Sequence, residues 1–232
     1  MKPLIYAQNL CFNYTYKPSR YSFSFNKKIV LCDINLTLNN SEVLVVLGRN
    51  GCGKSTLLRL LGKIYKPSAG SITYLNNIRP RLLAPGVGFI DELSGMENLY
   101  LSYSLMSGSL PSKEIVDVIV EYSEIKDRIY DPVSVFSSGM RARLAFSTAI
   151  HTSSSVILID EALGAGDDNF RAKVNETYKS MISEGKSFVI VSHNINWVKN
   201  NASRVIVLED GKICFEGAVS DGIEKFSEVL SS

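Results

Sequence analysis

Gly48-Arg49-Asn50-Gly51-Cys52-Gly53-Lys54-Ser55-Thr56 packs three glycines, a lysine and two hydroxyls into nine residues, on the pattern G-x-x-x-x-G-K-[ST]. Glycines let a backbone curl until successive N–H groups point inward, and such a nest holds phosphate oxygens. A helix beginning at Lys54 would add its partial positive end at the same place. Lys54 would then reach the β- and γ-phosphates of a nucleoside triphosphate, and the Ser55 hydroxyl would coordinate Mg²⁺. The alternative is a glycine-rich strand–helix turn with no ligand. The flanking pattern speaks against it: the continuously apolar Val43–Leu47 precedes the turn, and helical spacing runs from Lys54 to Gly62 behind it. Cys52 lies inside the cradle, so its thiol is expected to be accessible without nucleotide and its alkylation to block ATP.

A second cluster of chemistry ends the apolar run Val156–Ile159, where Asp160 and Glu161 are adjacent. A carboxylate at that point can bind Mg²⁺, and its neighbour can polarise an attacking water. Two solvated acids capping a strand would look the same in isolation; the cradle upstream favours chemistry. Phe188–Val191 is a further strand pattern, ending at Ser192 and His193. Ligands gather at the carboxyl ends of parallel strands, so His193 is expected to contact the γ-phosphate and hold the catalytic geometry. His151, at the end of a helical pattern, is expected to serve that helix's C-terminus.

The elements that must position these groups alternate along the chain. Leu4–Cys11, Ile29–Leu38, Glu42–Leu47, Ile72–Tyr74 and Val87–Ile90 read as strands. From Gly95 to His151 the texture is helical, with a break and an N-cap at Pro111–Ser112. The alternation then resumes: strand at 155–159, helix Asn169–Ser183, strands Ser187–Val191 and Arg204–Leu208, a hairpin arm at Gly211–Gly217, and a last helix from Ser220. This predicts an α/β fold of two lobes in one domain spanning 1–232: a core lobe over 1–83 and 152–232, and a helical lobe over 84–151.

Composition excludes more than it identifies. Of 232 residues, 45% are hydrophobic and 21% charged, which is ordinary for a globular chain. A net charge of +2 offers no field for nucleic acid. No apolar run reaches the ~18–20 residues of a membrane span, and the first ten residues lack a secretory h-region, so a cytoplasmic chain is expected. The four cysteines have neither CxxC nor Cys/His metal spacing.

Between the cradle and the acid pair lies Phe136-Ser137-Ser138-Gly139-Met140-Arg141, followed by ARLAFSTAI. It resembles the signature motif of ABC ATPases, usually LSGGQ, in the family's order. The resemblance covers essentially the whole chain and implies a mixed β core lobe, an inserted helical subdomain and an antiparallel β-subdomain. It also implies that Ser137, Ser138, Gly139 and Met140 cap the γ-phosphate bound by a second copy, so that a homodimer sandwiches two ATP head to tail. By the same resemblance Asp167 is the D-loop aspartate, and Tyr14 matches the aromatic that stacks on adenine, with Tyr16 and Tyr21 as alternatives. SSGM in place of SGGQ, Gly164-Ala165-Gly166-Asp167 and the stretch from Phe89 to Asn98 are similar to the cassettes that export capsular polysaccharide, O-antigen and teichoic acid. That likeness implies a short form without a C-terminal carbohydrate-binding domain. It further implies an integral-membrane partner and a place on the cytoplasmic face of the inner membrane. An importer subunit, a soluble ABC ATPase of translation or DNA repair, and a regulatory module without turnover are the other readings. One departure stands out: the family's lobe-junction glutamine has no counterpart, because the only Gln is Gln8.

Overall fold

The structure, a computed structural model, describes residues 2–17, 25–75, 78–83, 89–152, 154–160 and 168–231. Two sheets form its core lobe. The first is antiparallel, in the order β2 (Asn26–Asn39), β1 (Pro3–Tyr16), β4 (Ala69–Tyr74). The second has the order β5 (Arg81–Leu83), β6 (Val156–Ile159), β7 (Ser187–Val191), β3 (Val43–Gly48), β8 (Arg204–Glu209), β9 (Lys212–Gly217), parallel throughout except for β9.

Side-chain parity explains why the inner strands read as unbroken apolar runs. Leu44 and Val46 face a core shared with the antiparallel sheet and α1 (Lys54–Leu61), whereas Val43, Val45 and Leu47 face a second core on the far side. β6, β7 and β8 divide their residues between the same two cores. Strands covered on both faces have no polar side to alternate with. The far core is closed by α5 (Asp168–Ser183), α6 (Ile195–Asn201) and α7 (Val219–Ser231).

The helical lobe comprises α2 (Gly95–Ser107), α3 (Lys113–Ser123) and α4 (Ser138–Ile150) around a third core that includes Leu99, Ile119, Val133 and Leu144. Local caps fix the helix ends here. Ser94 and Glu97 form a reciprocal capping box on α2, and the Ser112 hydroxyl accepts from Ile115 N–H at 3.4 Å. His151 closes α4, its Nδ1 2.7 Å from the Ser147 carbonyl, and burial holds its pKa down.

One expectation needs correction, and one helix had no counterpart in the sequence reading. Phe89 and Ile90 belong to no strand: the backbone of Ile90 is bonded at both N–H and C=O by the Asn98 side chain, at 2.7 and 2.9 Å. The strand is instead β5, three residues long beside Pro80, and too short to show a period. α6 was also unforeseen; it is seven residues, capped by Asn194, whose side chain accepts from Trp197 N–H at 3.0 Å.

Candidate nucleotide site

Three parallel strands end at one cleft. β3 delivers Gly48 and the turn into α1, β6 delivers Asp160, and β7 ends two residues before His193. The cleft has a volume of about 1110 Å³, and the whole run from Arg49 to Thr56 lines it together with Asp160 and His193. The register makes this convergence a property of the sheet: Ile159 lies beside Ile190, and Val46 beside Val191.

The turn is held by sterics as well as by sequence. Gly48 has φ of +154°, and a Cβ placed there would lie 2.3 Å from the Leu208 carbonyl oxygen and 2.7 Å from the Cys52 sulfur. Gly53, at φ +111°, would press its Cβ to 2.7 Å from Leu31. Glycine alone fits both positions. Lys54 is nearly buried, and its ammonium donates to the carbonyls of Gly48 at 2.7 Å and Arg49 at 2.8 Å. These bonds meet the cost of burying the charge and set it against the turn that would receive phosphate.

The expectation of an accessible Cys52 is overturned. Its side chain is 8% exposed, packed into the core between the two sheets, and burial pushes its thiol pKa up. A buried, protonated thiol reacts slowly, so Cys52 is a packing residue within the cradle.

Tyr14 lies at the mouth of the cleft, its hydroxyl 3.5 Å from that of Thr56, and this bond holds the phenol below its ordinary pKa. Its ring meets Phe12 edge-on at 5.0 Å. Tyr16 does not line the cleft, and Tyr21 lies outside the described residues. Glu161, Asp167 and the Gly164–Gly166 run also lie outside them, as do 84–88 of the lobe junction.

Sequence reasoning missed seven residues that line the cleft, one of them Val191 at the end of β7. Lys28, Ile29 and Val30 arrive because β2 pairs with β1, which sets Lys28 opposite Tyr14. Glu209, Asp210 and Gly211 form the β8–β9 turn, locked onto β2 where Cys32 N–H donates to the Gly211 carbonyl at 2.9 Å. The sole linear signal was an Asp-Gly hairpin pair.

Ser137–Met140 do not reach this cleft. Ser137 caps α4, its hydroxyl accepting from Met140 N–H at 3.2 Å, and Ser137 and Ser138 are exposed. Around Gly139 an added Cβ would meet nothing closer than the Ser137 hydroxyl at 3.8 Å. This corner has a helix N-terminus, a hydroxyl and open space before it, a combination that can take an anion from outside the chain. Lys54, Ser55, Asp160, His193 and Tyr14 are therefore brought together, while the signature corner stands apart.

Comparison with known proteins matches residues 31–164 to the family model described as ABC transporter. A relative, the O-antigen export system ATP-binding protein RfbB of Klebsiella pneumoniae, is 35% identical over 208 residues, covering 88% of this chain and 83% of that protein. The teichoic acids export ATP-binding protein TagH of Shouchella clausii is 34% identical over 203 residues; the match spans 87% of this chain and only 56% of TagH. Among solved structures, the ATP-binding cassette MJ0796, in a dimeric post-hydrolysis state with ADP and Pi, superposes with a TM-score of 0.76 at 23% identity, covering 93% of this chain and 99% of that one. That likeness extends the fold across both lobes.

Proposed function

The chain belongs to the ABC transporter family, and on that footing we propose that it powers the export of a cell-surface polysaccharide through a membrane-embedded partner. It is an ATP-binding, ATP-hydrolysing cassette. What supports the finer reading is the split described above: one cleft gathers Lys54, Ser55, Asp160 and His193, while Ser137, Ser138 and Gly139 present an exposed, open corner on the other lobe. A site so divided is completed by a second copy. In this reading two chains meet head to tail, each closing its Ser-Ser-Gly corner on the nucleotide of the other.

Lys54 leaves its two carbonyl partners to bind the β- and γ-phosphates, and His193 contacts the γ-phosphate. Glu161 orients the attacking water and accepts its proton. The Ser55 hydroxyl and the Asp160 carboxylate line the same cleft and form an oxygen donor set suited to a hard cation, so they would hold Mg²⁺. When bound, the ion would neutralise charge on the phosphates. Tyr14 offers its ring to the adenine, and Asp167 belongs to the contact between copies. The lobes are assigned as core (1–83 and 152–232) and helical (84–151).

No described helix is long and apolar enough to cross a membrane, so in this reading attachment to the cytoplasmic face comes through the partner. Two relatives named for export of O-antigen and teichoic acids support a polysaccharide cargo.

The test is direct. Glu161→Gln should bind ATP, form a stable dimer in size-exclusion chromatography and hydrolyse almost nothing. Near-normal turnover by that variant removes Glu161 from its role, and a monomer with ATP bound removes the divided site. A multi-span membrane protein co-purifying with the native chain, and polysaccharide retained inside cells lacking it, would support the cargo.

A further inference from the structure

Residues 89–96 run from the lobe junction into α2, and they are bolted to the segment that ends at the signature corner. Asn98 is completely buried, and its side chain is spent entirely on this loop. Its carbonyl accepts from Ile90 N–H at 2.7 Å, and its amide donates to the carbonyls of Ile90, Leu93 and Ser94 at 2.9, 3.1 and 3.0 Å. A buried amide with every group satisfied fixes geometry, because any displacement leaves a polar atom unpaired.

The loop so fixed grips residues 129–134, the segment that leads into the corner. Leu93 C=O accepts from Val133 N–H and Asp91 C=O from Ser134 N–H, both at 2.9 Å. Gly95 N–H donates to Asp131 C=O at 3.0 Å and Met96 N–H to Ile129 C=O at 2.8 Å. Gly95 also lies under the Phe136 ring, where an added Cβ would come within 2.8 Å. The last link reaches α4 itself. One guanidinium nitrogen of Arg141 pairs with the Asp91 carboxylate at 2.8 Å, and the other donates to Val133 C=O at 3.3 Å. Arg141 is in the first turn of α4, where a cation opposes the helix's positive end. Nothing intrinsic to the helix favours it there; Asp91 does.

We propose that Asp91 is a positioning residue for ATP hydrolysis: through Arg141, and on the loop that Asn98 anchors, it sets the angle at which Ser137–Met140 meet the nucleotide of the second copy. The role rests on the divided-site reading. Asp91 does not line the cleft. Its carboxylate and the Arg141 side chain are 55% and 35% exposed, so the pair contributes little to stability and its loss should register in turnover.

The experiment is a double-mutant cycle on the full chain with Asp91→Asn, Arg141→Gln and both together, read as kcat, KM for ATP, fluorescent-ATP affinity of the monomer and melting temperature. Each single variant should lower kcat about three- to five-fold, the upper part of what an exposed ion pair is worth when converted to rate. Monomer affinity and melting temperature should stay at the wild-type values, and the double variant should be no slower than the worse single one. Turnover of Asp91→Asn equal to wild type, or losses that multiply in the double variant, overturns the proposal. Ser137→Ala in the same assay separates the two readings. If it is slow while Asp91→Asn is not, only the role of Asp91 falls. If it too keeps full turnover, the divided site falls and takes Asp91 with it.

Discussion

At Gly48 an added methyl would collide with the Leu208 carbonyl at 2.3 Å, whereas at Gly139 it would find only the Ser137 hydroxyl at 3.8 Å. Gly48 ends β3 and opens the turn into α1, and Gly139 lies in the first turn of α4, so both belong to the approach to a helix N-terminus, a place suited to phosphate. Yet the first is required by its own chain and the second is not. The glycine loop is held from behind, by β8 through the Leu208 carbonyl at Gly48 and by β2 through Leu31 at Gly53, with the Cys52 thiol turned inward, while Arg49, Asn50 and Gly51 stay exposed along the cleft. The signature corner is packed from behind and empty in front. A glycine with no steric demand inside its own fold points to a demand placed by something that docks, which is the physical content of a site shared between two copies.

The comparison breaks most readily at the packed end. Gly48→Ala forces a β-carbon into backbone at a φ that L-residues rarely adopt, so the chain should lose about 3 kcal/mol or more of stability together with nucleotide binding. Thermal unfolding and ATP titration read the two losses, and a variant as stable as wild type would mean the loop is not held as described. Next in size, Lys54→Ala removes a nearly buried ammonium whose present partners are the Gly48 and Arg49 carbonyls. ATP affinity should fall about 10²-fold, the equivalent of two charged hydrogen bonds at the low end of their range, while the fold stays intact. Isothermal titration gives the number.

Much of this contrast was legible in the chain. Four glycine-cradle positions, an apolar strand before them and an acid pair after another such strand located the cleft, since each motif was tied to a strand whose two-faced burial shows as an unbroken apolar run. The caps at Ser112 and His151 were legible for a related reason: capping is local, and its partners lie three or four residues away. What depended on distant partners was not. Lys28–Val30 and Glu209–Gly211 enter the cleft because β2 and the β8–β9 turn pack together, an encounter across about 180 residues of chain with no linear pattern. Phe89 and Ile90 look like a strand by type, yet Asn98, eight residues on, takes Ile90's backbone bonds. Cys52 was misjudged because a residue inside a phosphate loop need not face phosphate; parity in the turn sends its sulfur inward.

At the open end the expected effects on stability reverse in sign. Gly139→Ala places alanine in the first turn of α4 with no clash, so the monomer should be unchanged or up to about 1 kcal/mol more stable. Turnover should nevertheless fall at least about tenfold, because the new methyl occupies the space through which the N–H would reach a phosphate of the second copy. Stability from denaturant titration and ATPase rate on the same preparation make the comparison internal. Should Gly139→Ala lose stability and activity together, the corner is packed after all, and the contrast with Gly48 dissolves.

The smallest effect sits at Tyr14, where the two kinds of region meet: its ring is exposed at the cleft mouth while its hydroxyl is tied to Thr56 at 3.5 Å. If the ring is the platform for adenine, Tyr14→Phe keeps it and removes only the hydroxyl bond, so ATP affinity should change by about twofold or less, the worth of a long, half-exposed hydrogen bond. Tyr14→Ala removes the face itself and should weaken ATP about fivefold or more, as losing an aromatic–base stack does. Comparing ATP with inorganic triphosphate sharpens the assignment. Triphosphate has no base, so its binding should be equal in wild type, Tyr14→Phe and Tyr14→Ala. A Tyr14→Ala variant that loses triphosphate as strongly as ATP would show Tyr14 acting through Thr56 on the cradle, as part of the packed region and not of its open rim.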